Sequence, residues 1–355
     1  MTIQETQNIN KHLKAIAYWL FFCCFSVFCM IIVGAITRLS ESGLSIVEWK
    51  PLLGAIPPLN EEEWRRVFEQ YKSSPEYHKK NFWMALPDFK AIFFWEWFHR
   101  LLGRLIGVFY AVPFIIFLIK GWVPKGYKIK LFIAFLLGGA QGFMGWYMVK
   151  SGLVDIPAVS HYRLTAHLSL ALLIYGYMLW LGLNFRKMAA SDTSYTPKPD
   201  TGLYTHGWIT LGILTLTILW GAFTAGLDAG LVYNDTFPMM GDTWMPEELW
   251  FYKPLWLSIL ENHAVVQFMH RWLAITTAIT VISFVLHSMR KKRQELWFPA
   301  LGVFIFLQVG LGIATLFSGV ALPIAVLHQG GAVTILTLLL CAMHAVKFKQ
   351  PAQAR

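Results

Sequence analysis

Charge is scarce in this chain. Only 14% of its 355 residues are Asp, Glu, Lys or Arg, against about 25% in an ordinary soluble domain, which excludes a typical soluble protein. Cysteine is scarce as well. Cys23, Cys24, Cys29 and Cys341 all lie in apolar runs, with neither a disulfide framework nor a zinc spacing, so they read as packing residues. Acidic residues are nearly missing from those runs, where Glu96 stands alone. The formal charge of +10 sits at the ends of apolar runs, which argues against nucleic acid as a partner.

What the chain has in abundance is apolar length. Hydrophobic residues make up 56% of it, and a run of ~20 apolar residues spans ~30 Å of hydrocarbon. Eight such runs stand at 16–37, 93–119, 131–149, 161–185, 205–226, 263–289, 296–318 and 322–346. They predict helices, because a lipid-facing backbone must satisfy its own hydrogen bonds, and they are too long for barrel strands. The expected class is an all-α integral membrane protein. Lys120, Lys125, Lys128, Lys130, Arg186, Lys187, Lys198 and Arg290 to Arg293 crowd the short loops of one side. Loop 227–262 on the other side carries Lys253 against six acidic residues. By the positive-inside rule both termini are cytoplasmic. No cleavable signal or Arg-rich transit segment precedes the first run, which points to a bacterial plasma (inner) membrane.

The chain reads as a duplication. Gly34-Ala-Ile-Thr37 followed by Ser42-Gly-Leu44 matches Gly221-Ala-Phe-Thr224 followed by Ala229-Gly-Leu231. Gln141, Gly145 and Ser151-Gly-Leu153 match Gln308, Gly312 and Ser318-Gly-Val320, and His99-Arg100 matches His270-Arg271. Each half has four spans, so both keep one orientation and form a parallel repeat. The expected organisation is two pseudo-symmetric four-helix bundles, 1–185 and 205–355, joined by a cytoplasmic linker at 186–204. In the long outer loop 38–92, residues Asn60 to Tyr71 predict a polar helix with Asn60 as its N-cap. That helix reads equally as a functional element and as a solvated connector.

Four of the eleven histidines occupy matched places. His99, His167, His270 and His328 lie about six or seven residues into the second, fourth, sixth and eighth spans, all of which run inward. At 1.5 Å per residue they sit roughly 10 Å below the outer boundary. Two imidazoles per half at one depth suit an axially ligated haem iron. Zinc is the weaker reading, since no third and fourth ligand recur in both halves. His161, His263, His206, His287, His344, His12 and His78 read as structural, with His263 the one most easily confused with a ligand.

Glu96 precedes His99 by three residues, on one helix face. The matching residue is the neutral Gln267. An intramembrane carboxylate marks a functional site by default, and the alternative is a structural ion pair with Arg100 or Arg104. On the functional reading only the first half has a reactive group beside its haem. Arg100, Arg271 and Arg163 are candidates for haem propionate contacts, with snorkelling to the interface as the alternative for Arg163. Trp95, Trp97, Trp146, Trp244, Trp250 and Trp256 suit an interfacial belt.

Glu96-x-x-His99-Arg100, His167, Gln267-x-x-His270-Arg271, His328 and the segment Thr37 to Ser45 with Trp49 and Pro51 together resemble the haem A synthase family, over nearly all of 16–346. The resemblance implies an oxidoreductase that turns the C8 methyl of haem O into a formyl group by successive hydroxylations, giving haem A for cytochrome oxidase. It implies that His99 and His167 hold the substrate haem O or product haem A. His270 and His328 would hold a haem b that relays electrons, and Glu96 would be the essential carboxylate. An electron-transfer partner and handover from haem O synthase within the lipid are implied partners. Some members carry a cysteine pair in the first outer loop. This chain has none there, so it resembles the cysteine-free class. A bis-histidine b-type electron-transfer cytochrome would use the same four histidines, but it needs no Glu/Gln asymmetry and sets its haems at different depths. A repeat-built transporter would need broken helices and polar groups at the midplane.

Overall fold

The computed structural model describes residues 3–48, 53–152, 159–190 and 200–348. Trp49, Pro51, Leu153 and residues 191–199 of the expected linker lie outside them. The described chain is all helix apart from turns, loops and one isolated bridge, Met240 with Thr243. Its helices are α1 (Ile3–Leu39), α2 (Glu61–Lys72), α3 (Leu86–Ile119), α4 (Lys128–Gly152), α5 (His161–Ala190), α6 (Thr201–Gly226), α7 (Leu255–Glu261), α8 (His263–Arg290), α9 (Trp297–Phe317) and α10 (Leu322–Lys347). Eight of these, all but α2 and α7, are long and apolar enough to cross a membrane. The protein is therefore a multi-pass membrane protein, as composition predicts.

Among the first four spans, α1 packs on α3 and α5, and α4 on α3 and α5. Among the last four, α6 packs on α8, α8 on α9, and α10 on α9 and α6. The two sets meet where α1 and α5 touch α10 and where α5 touches α6. A single apolar core runs through this seam, with Ile16, Leu20, Phe185, Leu203, Phe284 and Leu339 fully buried. Cys23, Cys24 and Cys341 belong to it as free thiols. Sparse hydrogen bonds fix the neighbours. Trp19 Nε1 donates to Phe109 O at 2.8 Å, and Tyr110 Oη to Leu131 O at 2.7 Å. The hydroxyls of Tyr175 and Thr337 lie 2.7 Å apart.

Two helices begin well before their apolar runs. α1 begins at Ile3 rather than 16, and its first turns are tied down by His12, stacked 4.2 Å from Trp122. α3 begins at Leu86 rather than 93, because its extra turns are covered by α2 instead of lipid. Phe89, Ile92 and Phe93 bury themselves against Phe68 and Tyr71 in a separate small core. α2 starts where Asn60 predicts, with the Asn60 Oδ1 accepting the Glu63 N–H at 2.9 Å.

The same small core shelters a second carboxylate. Glu76 is 4% exposed and accepts the Tyr71 hydroxyl at 3.1 Å, while Asn81 Nδ2 donates to Tyr71 Oη at 2.7 Å. Burial pushes the Glu76 carboxyl up from 4.5 to about 7, the nearby charges of Glu96 and Glu41 add to this, and the Tyr71 hydrogen bond and Lys80 oppose it. A carboxyl that keeps its proton when folded ties the loop's stability to pH. That stability falls as pH rises from about 4.5 to about 7, the window in which only the unfolded carboxyl ionises, and is flat above it. Hydrogen exchange of the α2 amides is therefore expected to quicken over this window beyond its intrinsic rise, and Glu76→Gln to remove the dependence. An identical profile in both proteins would contradict the assignment.

Candidate haem site

Each of the four matched histidines sits against a matched glycine on another helix of its half. A Cβ built on Gly34 of α1 would lie 3.1 Å from His99 Cε1, and one on Gly145 of α4 would lie 3.1 Å from His167 Cε1. The corresponding distances are 2.9 Å for Gly221 of α6 with His270, and 2.9 Å for Gly312 of α9 with His328. These glycines are the ones that the internal repeat picks out. Their role was not legible before the fold was known. They leave room for an imidazole where any side chain would push it away.

The pairing of imidazoles is clearest in the second set of helices. The His270 and His328 ring centroids lie 6.4 Å apart with planes at 81°. Two imidazole nitrogens, each ~2 Å from one metal, place their ring centroids roughly 6 Å apart, so this pair could hold one metal centre between them. His99 and His167 lie within electrostatic range of each other. Gln141 Nε2 donates to His167 O at 3.1 Å and lies 3.2 Å from its Nδ1. Gln308 Nε2 donates to His328 O at 2.9 Å and lies 3.2 Å from its Nδ1. Both glutamine Oε1 atoms are buried without a hydrogen-bond partner among the described residues. A buried orphan acceptor beside His167 and another beside His328 suit a site completed by a bound group. Among the described residues no cluster of three or more His, Cys, Asp or Glu is arranged for a bare metal ion.

Glu96 and Gln267 do more than sequence suggests, because both pin an outer loop. Glu96 is 3% exposed. Its Oε2 accepts the Ser45 hydroxyl and the Ile46 N–H, each at 2.7 Å, and its Oε1 accepts Arg100 Nη2 at 2.6 Å. Gln267 uses the opposite polarity: its Nε2 donates to Ala229 O and Val232 O, while its Oε1 accepts Arg271 Nη2 at 2.9 Å. The first loop turns its donors inward and meets an acceptor; the second turns carbonyls inward and meets an amide. A carboxylate has about four acceptor positions. Among the described residues three are filled at Glu96, which leaves one open one helical turn from His99.

The three arginines divide. Arg100 Nη2 donates to Ile46 O at 3.0 Å, and Arg271 Nη1 to Thr236 O at 2.8 Å, so both guanidinium groups hold loop carbonyls. Arg163 lies over the Tyr147 ring at 5.0 Å. Other contacts join the two sets of spans at the same end. Arg38 pairs with Asp228 at 2.8 Å, and Tyr162 Oη donates to Glu261 at 2.6 Å. The remaining histidines stand apart from the four. His161 lies 3.5 Å from Glu261, His206 and His287 approach to 3.2 Å, and His344 lies 3.1 Å from Asn184.

Residues 17–340 match the family model described as cytochrome oxidase assembly protein. A protein named heme A synthase from Rhodospirillum centenum is 48% identical over 94% of this chain and 89% of its own length. Namesakes from Nitrosospira multiformis, 44% identical over 97% of both chains, and from Paramagnetospirillum magneticum, 46% identical over 93% of both, are also similar to it. The chain belongs to the COX15-CtaA family of cytochrome oxidase assembly proteins.

Proposed function

We infer that this chain is a haem A synthase, a membrane oxidoreductase that converts the C8 methyl of haem O to the formyl group of haem A. The observation that carries the reading is the matched set of four imidazoles, each against its glycine, with a carboxylate beside only one pair. The halves 1–185 and 205–355, joined through 186–204, are the two haem-binding units. His99 and His167 bind substrate haem O, and His270 and His328 bind haem b. Bound there, haem b supplies one-electron redox chemistry. With both termini cytoplasmic, the sites lie toward the outer side of a bacterial inner membrane.

The chain's own residues have separable tasks. His99 and His167 orient the substrate. Glu96, held by Ser45, Ile46 and Arg100, presents its remaining acceptor position to a proton leaving the methyl carbon, or to positive charge growing there. Gln267 carries no charge, so the second half binds without reacting. Arg163 is the candidate for a propionate, while Arg100 and Arg271 act through the loops that they hold. Haem O arrives from its own synthase within the lipid, and an electron-transfer partner takes the electrons. A pair of electron-transfer haems needs no such difference between Glu96 and Gln267.

Haem extraction from two variants tests the division of labour. After haem O is supplied, His99→Ala is expected to keep haem B and lose haem O and haem A. His270→Ala is expected to lose haem B and still bind haem O. Equal loss of all haems from both variants would contradict it.

A further inference from the structure

Besides Glu96 and Gln267, the two sites differ at one ligand of each. Glycines face all four imidazoles, and Gln141 and Gln308 address His167 and His328 alike. His270 and His99 differ. His270 Nδ1 lies 3.1 Å from the carbonyl oxygen of Thr217. Donation there fixes the tautomer and leaves Nε2 as the free lone pair. His99 Nδ1 is buried and has no hydrogen-bond partner among the described residues.

The helix contacts behind each imidazole differ as well. The Thr217 and Thr277 hydroxyls lie 2.7 Å apart, and Thr217 Oγ1 is 3.0 Å from Leu273 O. They clamp α6 to α8 one turn from Gly221. Thr217 stands four residues before Gly221, so its counterpart four before Gly34 is Met30. Thr277 stands seven after His270, so its counterpart seven after His99 is Ile106. The first half thus has two apolar side chains where the second has a hydrogen-bonded pair.

We propose that Thr217 and Thr277 form a latch that locks His270 and retains the haem of the second site, and that its absence makes His99 the releasing ligand through which the first site exchanges substrate for product. Outer partners of metal-bound histidines change affinity by roughly 10–100-fold, a difference that suits one resident group and one that must leave each turnover. Thr217 and Thr277 are positioning residues. The proposal rests on the assignment of the two haem pairs made above.

The test uses full-length protein in detergent, supplied with haem O and mixed with excess apomyoglobin as haem acceptor. Two phases are expected, with haem O or haem A leaving at least ~10 times faster than haem B. Thr217→Met with Thr277→Ile should speed the haem B phase by ~10-fold or more and shift its low-spin EPR signal. Thr217→Ser, which keeps the hydroxyl, should preserve both. The reciprocal Met30→Thr with Ile106→Thr should slow the fast phase, and it stands as the test if the first double variant does not fold. Equal rates for both haems in the parent protein, or a haem B phase indifferent to loss of the threonine pair, would overturn the latch while leaving the site assignment intact. One haem per chain after loading would overturn the assignment and the latch together.

Discussion

Glu96→Ala is expected to abolish conversion of haem O to haem A and to loosen the first outer loop in the same protein. The buried side chain accepts from three donors, buried Ser45 and half-buried Ile46 and Arg100. Removing one partner of a buried ion pair costs about 3–5 kcal/mol, and the two orphaned loop donors add to it. Part of the lost activity will therefore be positional. Glu96→Gln separates the parts. Its carboxamide can accept on one side, but its NH2 must then face either Arg100 or the Ile46 N–H, so the loop should weaken less than in Glu96→Ala. If the carboxylate accepts a proton or stabilises charge in the reaction, conversion should still fall by ~10²–10⁴-fold. Haem A formed per haem O bound, measured beside limited proteolysis of loop 40–85, tells the two apart. Full conversion by Glu96→Gln would leave Glu96 as a loop anchor alone.

Gly221→Ala and Gly312→Ala are expected to reduce the bound haem to one per chain, with haem B the one lost. The added Cβ would lie 2.9 Å from His270 Cε1 or His328 Cε1, closer than any relaxed contact, and each imidazole is the element that must move. Overpacking of this kind costs about 1–3 kcal/mol, and a ligand displaced by a few tenths of an ångström no longer meets the iron with its partner. Gly107→Ala on α3, where nothing lies within 4 Å, should leave haem content unchanged and serves as the control. Two haems retained in both site variants would show that the glycines are not seats for ligands.

Much of this molecule could be read in advance, and the limits have physical causes. Eight spans follow from apolar length, because the membrane imposes one length on every crossing. Helix ends outside the membrane do not. Apolar length misses residues 86–92, where Pro87 and Asp88 mark the helix start and the cover comes from Phe68 and Tyr71 of a distant helix. The four histidines stood out in sequence because the apparent repeat predicts one depth for them, and each meets a glycine of a neighbouring helix. The glycines and Gln141 and Gln308 were legible as repeated letters without a task, since the task exists only across a helix interface. Glu96 stood out as the lone intramembrane acid, yet its bonds to Ser45 and Ile46 depend on how the loop folds back. The inverse arrangement at Gln267, which donates to carbonyls, turns a sequence difference into two solutions of one packing problem. The threonine latch was hidden for the same reason, because Thr217 and Thr277 are 60 residues apart.

The account stands most directly on which haems the protein carries. Purified protein from cells supplied with haem O should be extracted and its haems separated against haem B, haem O and haem A. Haem B together with haem O or haem A, in near-equal amounts, is the predicted result. Haem B alone at two per chain would contradict it and identify the chain as an electron-transfer cytochrome built on the same four histidines.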